Sequence, residues 1–441
     1  MQGGRFELGS VCNAATFVSP PDPNQARTAR ETELRARYLR SRALSEKACS
    51  LIPGGHHLSG KALVDFETTP AYFERGSGAM LYDVDGHEYV DYLMAFGAQL
   101  LGYARPEVET AAHEQAKRGN LLSLNHPLHV ELIETLLPLF PGAEMGTFFK
   151  TGSEATTAAL RIARAKTGRK AVARAGYHGW HDWCLPRERF VPDGLDQQIP
   201  EFRANDPASL QALFDANPRG IAAVILAPEM VLPFEPQIFH ELARITRAHG
   251  ALFIMDEVKT GLRIAPGSVC ARVDLVPDLF TVSKALGNGW PIAVTLGRRE
   301  VMEVAAGMHY SATFHGETTA MAAALETIRI VQRENVQEHV HALGQRLIDG
   351  LNALIADSPV SALAYAEPLP AMPFFKFTEP DATLNLELTR CFYREVLALG
   401  QLLHPRHLWF LSAAHTHADV ETTLVACRTA LHKTLELCRD L

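Results

Sequence analysis

The chain is 441 residues long, 47% hydrophobic and 21% charged, enough for a large domain with its own core and a smaller one beside it. Its net charge of −8 argues against nucleic acid or an anionic membrane surface as partner. Seven cysteines scattered without metal-ligand spacing, no apolar stretch of membrane-spanning length and no signal-peptide pattern at the start predict a cytoplasmic protein with reduced thiols and no bound metal.

In chain order, residues 1 to about 25 carry Pro20-Pro21-Asp22-Pro23 and little periodicity, so a mobile lead is expected. Gln25 to Leu51 sets apolar residues among charge pairs, the pattern of an amphipathic helix that packs on a domain or a partner subunit. Tyr82 to Tyr92 reads as a hairpin with Asp85-Gly86 at its turn. From about Arg105 to Gly316 strand-like and helix-like stretches alternate, which predicts a mostly parallel sheet. After Ala320 helical patterns return with strand-like runs such as Pro373 to Phe377, as in a small α+β unit. The division predicted is an N-terminal segment over 1–80, a large domain over 81–318 and a small C-terminal domain over 319–441.

Two apolar runs in the alternating stretch end in reactive groups. Ala251 to Met255 stops at Asp256 and Glu257, and Leu279 to Val282 leads through Ser283 to Lys284. Buried strands read as continuous apolar runs, and ligands of open α/β sheets collect at the carboxyl ends of the strands. A carboxylate and an amine meeting at one crevice suit pyridoxal phosphate, which takes a lysine for its Schiff base and an acid to keep its ring nitrogen protonated. The same two residues would also serve as a structural ion pair. A third run, Met145 to Lys150, opens into Thr151-Gly152-Ser153-Glu154 and a helically spaced stretch that closes at Gly168. Such a turn presents backbone N–H groups, hydroxyls and the positive end of a helix to a phosphate, or acts simply as an N-cap. Further on, Gly176-Tyr177-His178-Gly179-Trp180-His181 places a flat aromatic between glycines, where it can lie on a flat cofactor ring or form an ordinary aromatic loop. Two other lysines, Lys150 and Lys259, lack the apolar run and the glycine-rich turn, Ala285 to Gly289, that frame Lys284.

Taken together and in order, TGSEA, YHGWHD, MDEV, SKALGNGWP, ATFHGET and LSAAHT resemble the class III (fold type I) pyridoxal-phosphate aminotransferases, nearest the glutamate-1-semialdehyde aminomutase branch. The resemblance runs from about Leu51 to the C-terminus. It implies a large domain with a mostly parallel seven-stranded sheet flanked by helices, plus a small α+β domain. Lys284 would carry the cofactor and move the proton, and Asp256 would pair with the ring nitrogen. Val258 and Tyr177 would cover the two ring faces, Gly152 and Ser153 would bind the phosphate, and His178 would support the Tyr177 loop. Thr313 would reach the phosphate of a second subunit, since family sites form at a homodimer interface. The reaction implied is amino transfer between an amino-acid-like donor and a keto or aldehyde acceptor through pyridoxamine phosphate. The alternatives are an aminomutase and, more remotely, a non-catalytic dimer of the same fold.

This chain departs from that branch around the substrate. Lys61 stands where an arginine would grip a carboxylate and so offers charge without a bidentate fork. Phe96 takes the place of the pocket aromatic, and His407, beside Arg406, stands where a glutamate is expected. The Glu-Pro pair after the strand at Ile225 is rearranged to Ala227-Pro228-Glu229, and His315-Gly316-Glu317-Thr318 replaces Ser-Gly-Asn-Pro. With the lysine, aspartate and phosphate turn intact, these changes predict altered substrate use.

Overall fold

The structure, a computed structural model, describes residues 23–55, 68–70, 72–185, 191–217, 220–356, 358–366 and 369–438. Of the lead expected over residues 1 to about 25, residues 1–22 lie outside them, as does the candidate Lys61. The stretch expected as one helix is two, Pro23–Arg37 and Leu39–Cys49, broken at Tyr38. The carboxylate of Asp85 takes the backbone N–H groups of Arg40 and Ser41 at 2.7 and 2.9 Å, so the second helix is capped by a residue 45 positions away.

Asp85 belongs to the expected hairpin. Strands β1 (Phe73–Ser77), β2 (Met80–Asp83) and β3 (Glu88–Asp91) pair antiparallel in sequence, and Gly86 supplies the positive φ of 92° at the β2–β3 turn. Because β1 and β2 pair across it, the boundary expected at residue 80 falls inside a hairpin.

The large sheet has six strands among the described residues: β4 (Met145–Phe149), β5 (Ala171–Ala175), β6 (Ile221–Leu226), β7 (Leu252–Asp256), β8 (Leu279–Val282) and β9 (Ala293–Gly297). Their spatial order is β4-β9-β8-β7-β6-β5, with β5 to β8 mutually parallel and β9 antiparallel to both neighbours. Seven strands were expected. Beyond β5 the seventh place is held by a single parallel bridge, Arg174 to Glu201, too short to count as a strand. Successive strand residues point to opposite faces. Val224, Phe253, Met255 and Phe280 therefore join the main core, while Ile225, Ile254 and Leu279 pack with Leu160 and Ile162 of helix Gly152–Thr167. Coverage on both faces is why these strands are predominantly apolar.

Three further strands lie among the described residues: β10 (Ala362–Ala366), β11 (Pro373–Phe377) and β12 (Gln401–Leu402). The first two form an antiparallel ribbon, and β12 runs parallel to β3, so residues from both ends of the chain share one four-stranded sheet. Helices Val336–Ala356, Ala382–Ala398 and His417–Leu437 accompany them.

Candidate active site

Asp256 ends β7 and pairs in register with Thr281 of β8, so Lys284, three residues on, emerges at the same edge of the sheet. Lys284 takes a left-handed φ of 46°, unusual for a side chain-bearing residue. The turn is held by Ser283, whose hydroxyl donates to the Ile292 carbonyl at 2.8 Å and whose carbonyl accepts from Leu286 at 3.0 Å. Local strain that neighbouring bonds enforce is characteristic of functional positions.

The carboxylate of Asp256 is buried and held on both oxygens. Oδ1 accepts from the Thr281 hydroxyl at 2.7 Å and from the Val258 N–H at 3.2 Å. Nδ1 of His178 donates to Oδ2 at 2.6 Å, an assignment that follows from its carboxylate partner. The His178 ring lies nearly parallel to Trp183, and its carbonyl accepts from Thr156 in helix Gly152–Thr167. The expected support of the Tyr177 loop is thus only part of its place, since His178 also touches Asp256 directly. The side chain of Tyr177 itself is exposed.

The turn from Thr151 to Glu154 opens a helix, as its sequence suggests. Thr151 caps helix Gly152–Thr167 in a capping box with Glu154, and Gly168 closes the helix in the left-handed conformation. Two glycines let three segments converge here. A Cβ on Gly152 would come within 2.8 Å of Val258, and one on Gly179, whose φ is 123°, would run into the Ser153 hydroxyl. That hydroxyl accepts from the Trp180 N–H at 3.3 Å. The result is a cradle between the helix N-terminus, Val258 and the Tyr177 loop, with Asp256 and Lys284 at its side. These residues suit pyridoxal phosphate: an anion site at a helix N-terminus, an acid with anchored orientation and an amine on a neighbouring strand.

On the other side, Phe96 meets His407 edge-to-face at 5.1 Å and His404 at 6.2 Å. Nδ1 of His407 donates to the Leu408 carbonyl at 2.9 Å. Burial, reinforced by the Lys259 and Lys284 ammonium groups, pushes His407 down to about 3, so the imidazole is neutral at ordinary pH. His407 is half-buried against Phe96, while Arg406 is exposed. Thr313 is exposed in a groove of about 800 Å³ that Leu122, Leu124 and Val130 also line. The rival lysines are both in ion pairs, Lys150 with Glu317 at 2.8 Å and Lys259 with Glu229 at 2.6 Å. No group of metal-ligating side chains occurs among the described residues.

The sequence reading missed His404 and the buried Arg263. Arg263 donates to the carbonyls of Leu411 and Gly97 at 2.6 and 2.9 Å, bracing the chain on either side of Phe96 and His407. Neither residue lies in a motif or at the end of an apolar run, so no local signal marked it.

A mixed α/β sheet with an amine and a carboxylate at adjacent strand ends, beside a helix N-terminus, defines a fold type I pyridoxal-phosphate enzyme. The aminotransferase class-III family model matches residues 64–363, and the chain belongs to that family. It is 33% identical over 407 residues to the 3-aminobutyryl-CoA aminotransferase of Cloacimonas acidaminovorans, covering 90% of this chain and 97% of that protein. It is 34% identical over 425 residues to a glutamate-1-semialdehyde 2,1-aminomutase of Archaeoglobus fulgidus, covering 89% and 99%. The FumI protein of Sphingopyxis sp. MTA144, solved in its PLP internal aldimine form, superposes with a TM-score of 0.85 at 31% identity, covering 91% and 98%. The chain is therefore a class III aminotransferase with pyridoxal phosphate as its cofactor.

Proposed function

We propose that this enzyme moves an amino group between an amino-acid-like donor and a keto or aldehyde acceptor, with Lys284 as the cofactor-bearing amine. The observation that carries the reading is Lys284 at the end of β8 beside the doubly anchored Asp256. When bound, pyridoxal phosphate supplies an electrophilic carbonyl and a ring that draws electron density from the substrate carbon. Gly152 and Ser153 would bind its phosphate, and Val258 and Tyr177 would face the ring. Asp256, oriented by Thr281 and His178, would hold the proton on the ring nitrogen. Lys284, released from the cofactor, would take the proton from the substrate carbon and return it. On the substrate side we assign Phe96 and His407 to the wall, with Lys61 and Arg406 as candidate carboxylate contacts.

The same reading makes the protein a cytoplasmic homodimer. Leu124, Val130 and Phe314 are exposed around Thr313, an apolar cluster that suits a second copy and would carry Thr313 toward the partner's phosphate site. We place the limits of the large domain near residues 92 and 333 instead of 80 and 318. The hairpin joins β12, and helix Thr319–Arg333 packs on helix Pro106–Ala116.

Similarity to aminomutases favours a second reading, exchange of amino and carbonyl groups within one molecule. Mixing the holoenzyme with a panel of amino compounds, including 3-aminobutyryl-CoA and glutamate-1-semialdehyde, and following the visible absorbance separates them. Transamination consumes a donor and needs an added acceptor; a mutase converts a single amino-carbonyl compound without one. Borohydride reduction should fix cofactor on Lys284, and label on Lys150 or Lys259 instead would refute the assignment.

A further inference from the structure

Two charged residues near Lys284 have no part in that reading. Glu229 sits on the short turn Pro228–Met230 directly after β6, and Lys259 lies on the turn that follows Asp256. Strands β6, β7 and β8 are parallel neighbours, so both turns open at the edge of the sheet that holds Asp256 and Lys284. The two side chains meet at 2.6 Å, with 5% of Glu229 and 17% of Lys259 exposed. A Cβ on Gly176 would run into Ala227 and Met230, so the turn that carries Glu229 lies against the Tyr177 loop. The pair thus lies beside the Tyr177 loop, at the edge of the sheet where Lys284 emerges.

A buried ion pair contributes little to a fold, because desolvating two charges offsets most of their attraction. This one is also incompletely satisfied: Oε2 of Glu229 has no hydrogen-bond partner among the described residues. Two apolar side chains would serve packing at least as well, which points to a role in the reaction.

We propose that Glu229 and Lys259 are a positioning pair that sets the charge felt at Lys284, with Lys259 placing a cation near the reactive nitrogen and Glu229 moderating it. The inference rests on Lys284 bearing the cofactor. A nearby ammonium disfavours protonation of a nitrogen base, and a carboxylate paired with that ammonium weakens the effect. The nitrogen of Lys284 gains and loses a proton in each turnover, so its proton affinity is a quantity the site must adjust. The other titratable or charged groups described around the cleft are Asp256 and the buried Glu257 at the end of β7, Tyr177 and His178 on the loop after β5, Arg263 on the carbonyls of Gly97 and Leu411, and His404, Arg406 and His407 after β12. Arg263 is held on the Gly97 and Leu411 carbonyls, whereas Lys259 stands on the turn directly after Asp256.

The test is a pH titration of the visible absorbance of the lysine-bound cofactor in the holoenzyme, wild type against Lys259→Met, Glu229→Gln and the double variant. Lys259→Met should raise the midpoint, and Glu229→Gln, which leaves the cation uncompensated, should lower it, each by on the order of one pH unit. The double variant leaves no single charge buried and should fall between the two. Shifts of the same sign, or either single variant titrating as the wild type does, would overturn the proposal. A wild-type protein that forms no visible lysine-bound cofactor would instead refute the proposed function, and this inference with it.

Discussion

Asp256 receives hydrogen bonds from Thr281, Val258 and His178, so both its oxygens are oriented before any ligand arrives. Asp256→Asn keeps the shape and removes the charge; kcat should fall roughly a hundredfold or more, the lower end of what a positioned ionisable group contributes. Near-normal turnover in that variant would exclude the role. Lys284→Ala should still bind cofactor, now reversibly and without the visible band, and should show no turnover. His415 gives a prediction about pH and stability. Burial lowers it to about 4, and its Nδ1 accepts the Ser412 N–H at 3.0 Å. Unfolded, a histidine titrates near 6.5, so between about pH 6.5 and 4 the unfolded chain binds a proton that the folded chain refuses. Stability present above that window is therefore lost as pH falls through it, by up to about 1.4 kcal/mol per pH unit. Glu257 runs the other way: burial raises it to about 7, and its contribution is lost as pH rises from the ordinary carboxylate range toward that value. The measurement is thus a difference: denaturation of His415→Gln across this window should show a shallower acid slope than wild type.

At the level of elements, the two N-terminal helices show where sequence pattern stops being informative. Their periodicity is continuous from Gln25 to Leu51, yet the chain breaks at Tyr38, because Asp85 in a distant hairpin turn caps a new helix start at Leu39. Asp85→Ala should cost about 1 kcal/mol of local stability, seen as faster amide exchange over residues 40–49 while β7 and β8 stay protected. The strands were more legible. Apolar runs ending at Asp256 and at Val282 matched β7 and β8, since strands covered on both faces have few polar positions to confuse the pattern. The seventh strand implied by the resemblance is reduced to a single bridge at Arg174, because the chain from Pro200 to Phe202 pairs with β5 there at one residue only.

For the whole molecule, the exposed apolar cluster around Thr313 carries the expectation of a dimer. Leu124 is 86% exposed, and Leu124→Glu should weaken self-association in analytical ultracentrifugation and reduce activity in parallel. A fully active monomer would remove Thr313 from any shared site. The four-stranded sheet that joins β3 to β12 ties the two ends of the chain together and brings His404 and His407 back over Phe96.

By itself the sequence determined the strand ends that carry Asp256 and Lys284, the capped turn at Thr151 to Glu154 and the family they announce. Each is a local pattern, an apolar run with its terminus or a cap with its helix, and local patterns are written in neighbouring residues. Only the tertiary structure decided that His178 bonds Asp256, that His407 and not Arg406 turns inward, that Arg263 ties Gly97 to Leu411 and that Glu229 reaches Lys259. Those contacts join residues far apart in the chain, and their charges take their meaning from burial, which no stretch of sequence specifies on its own.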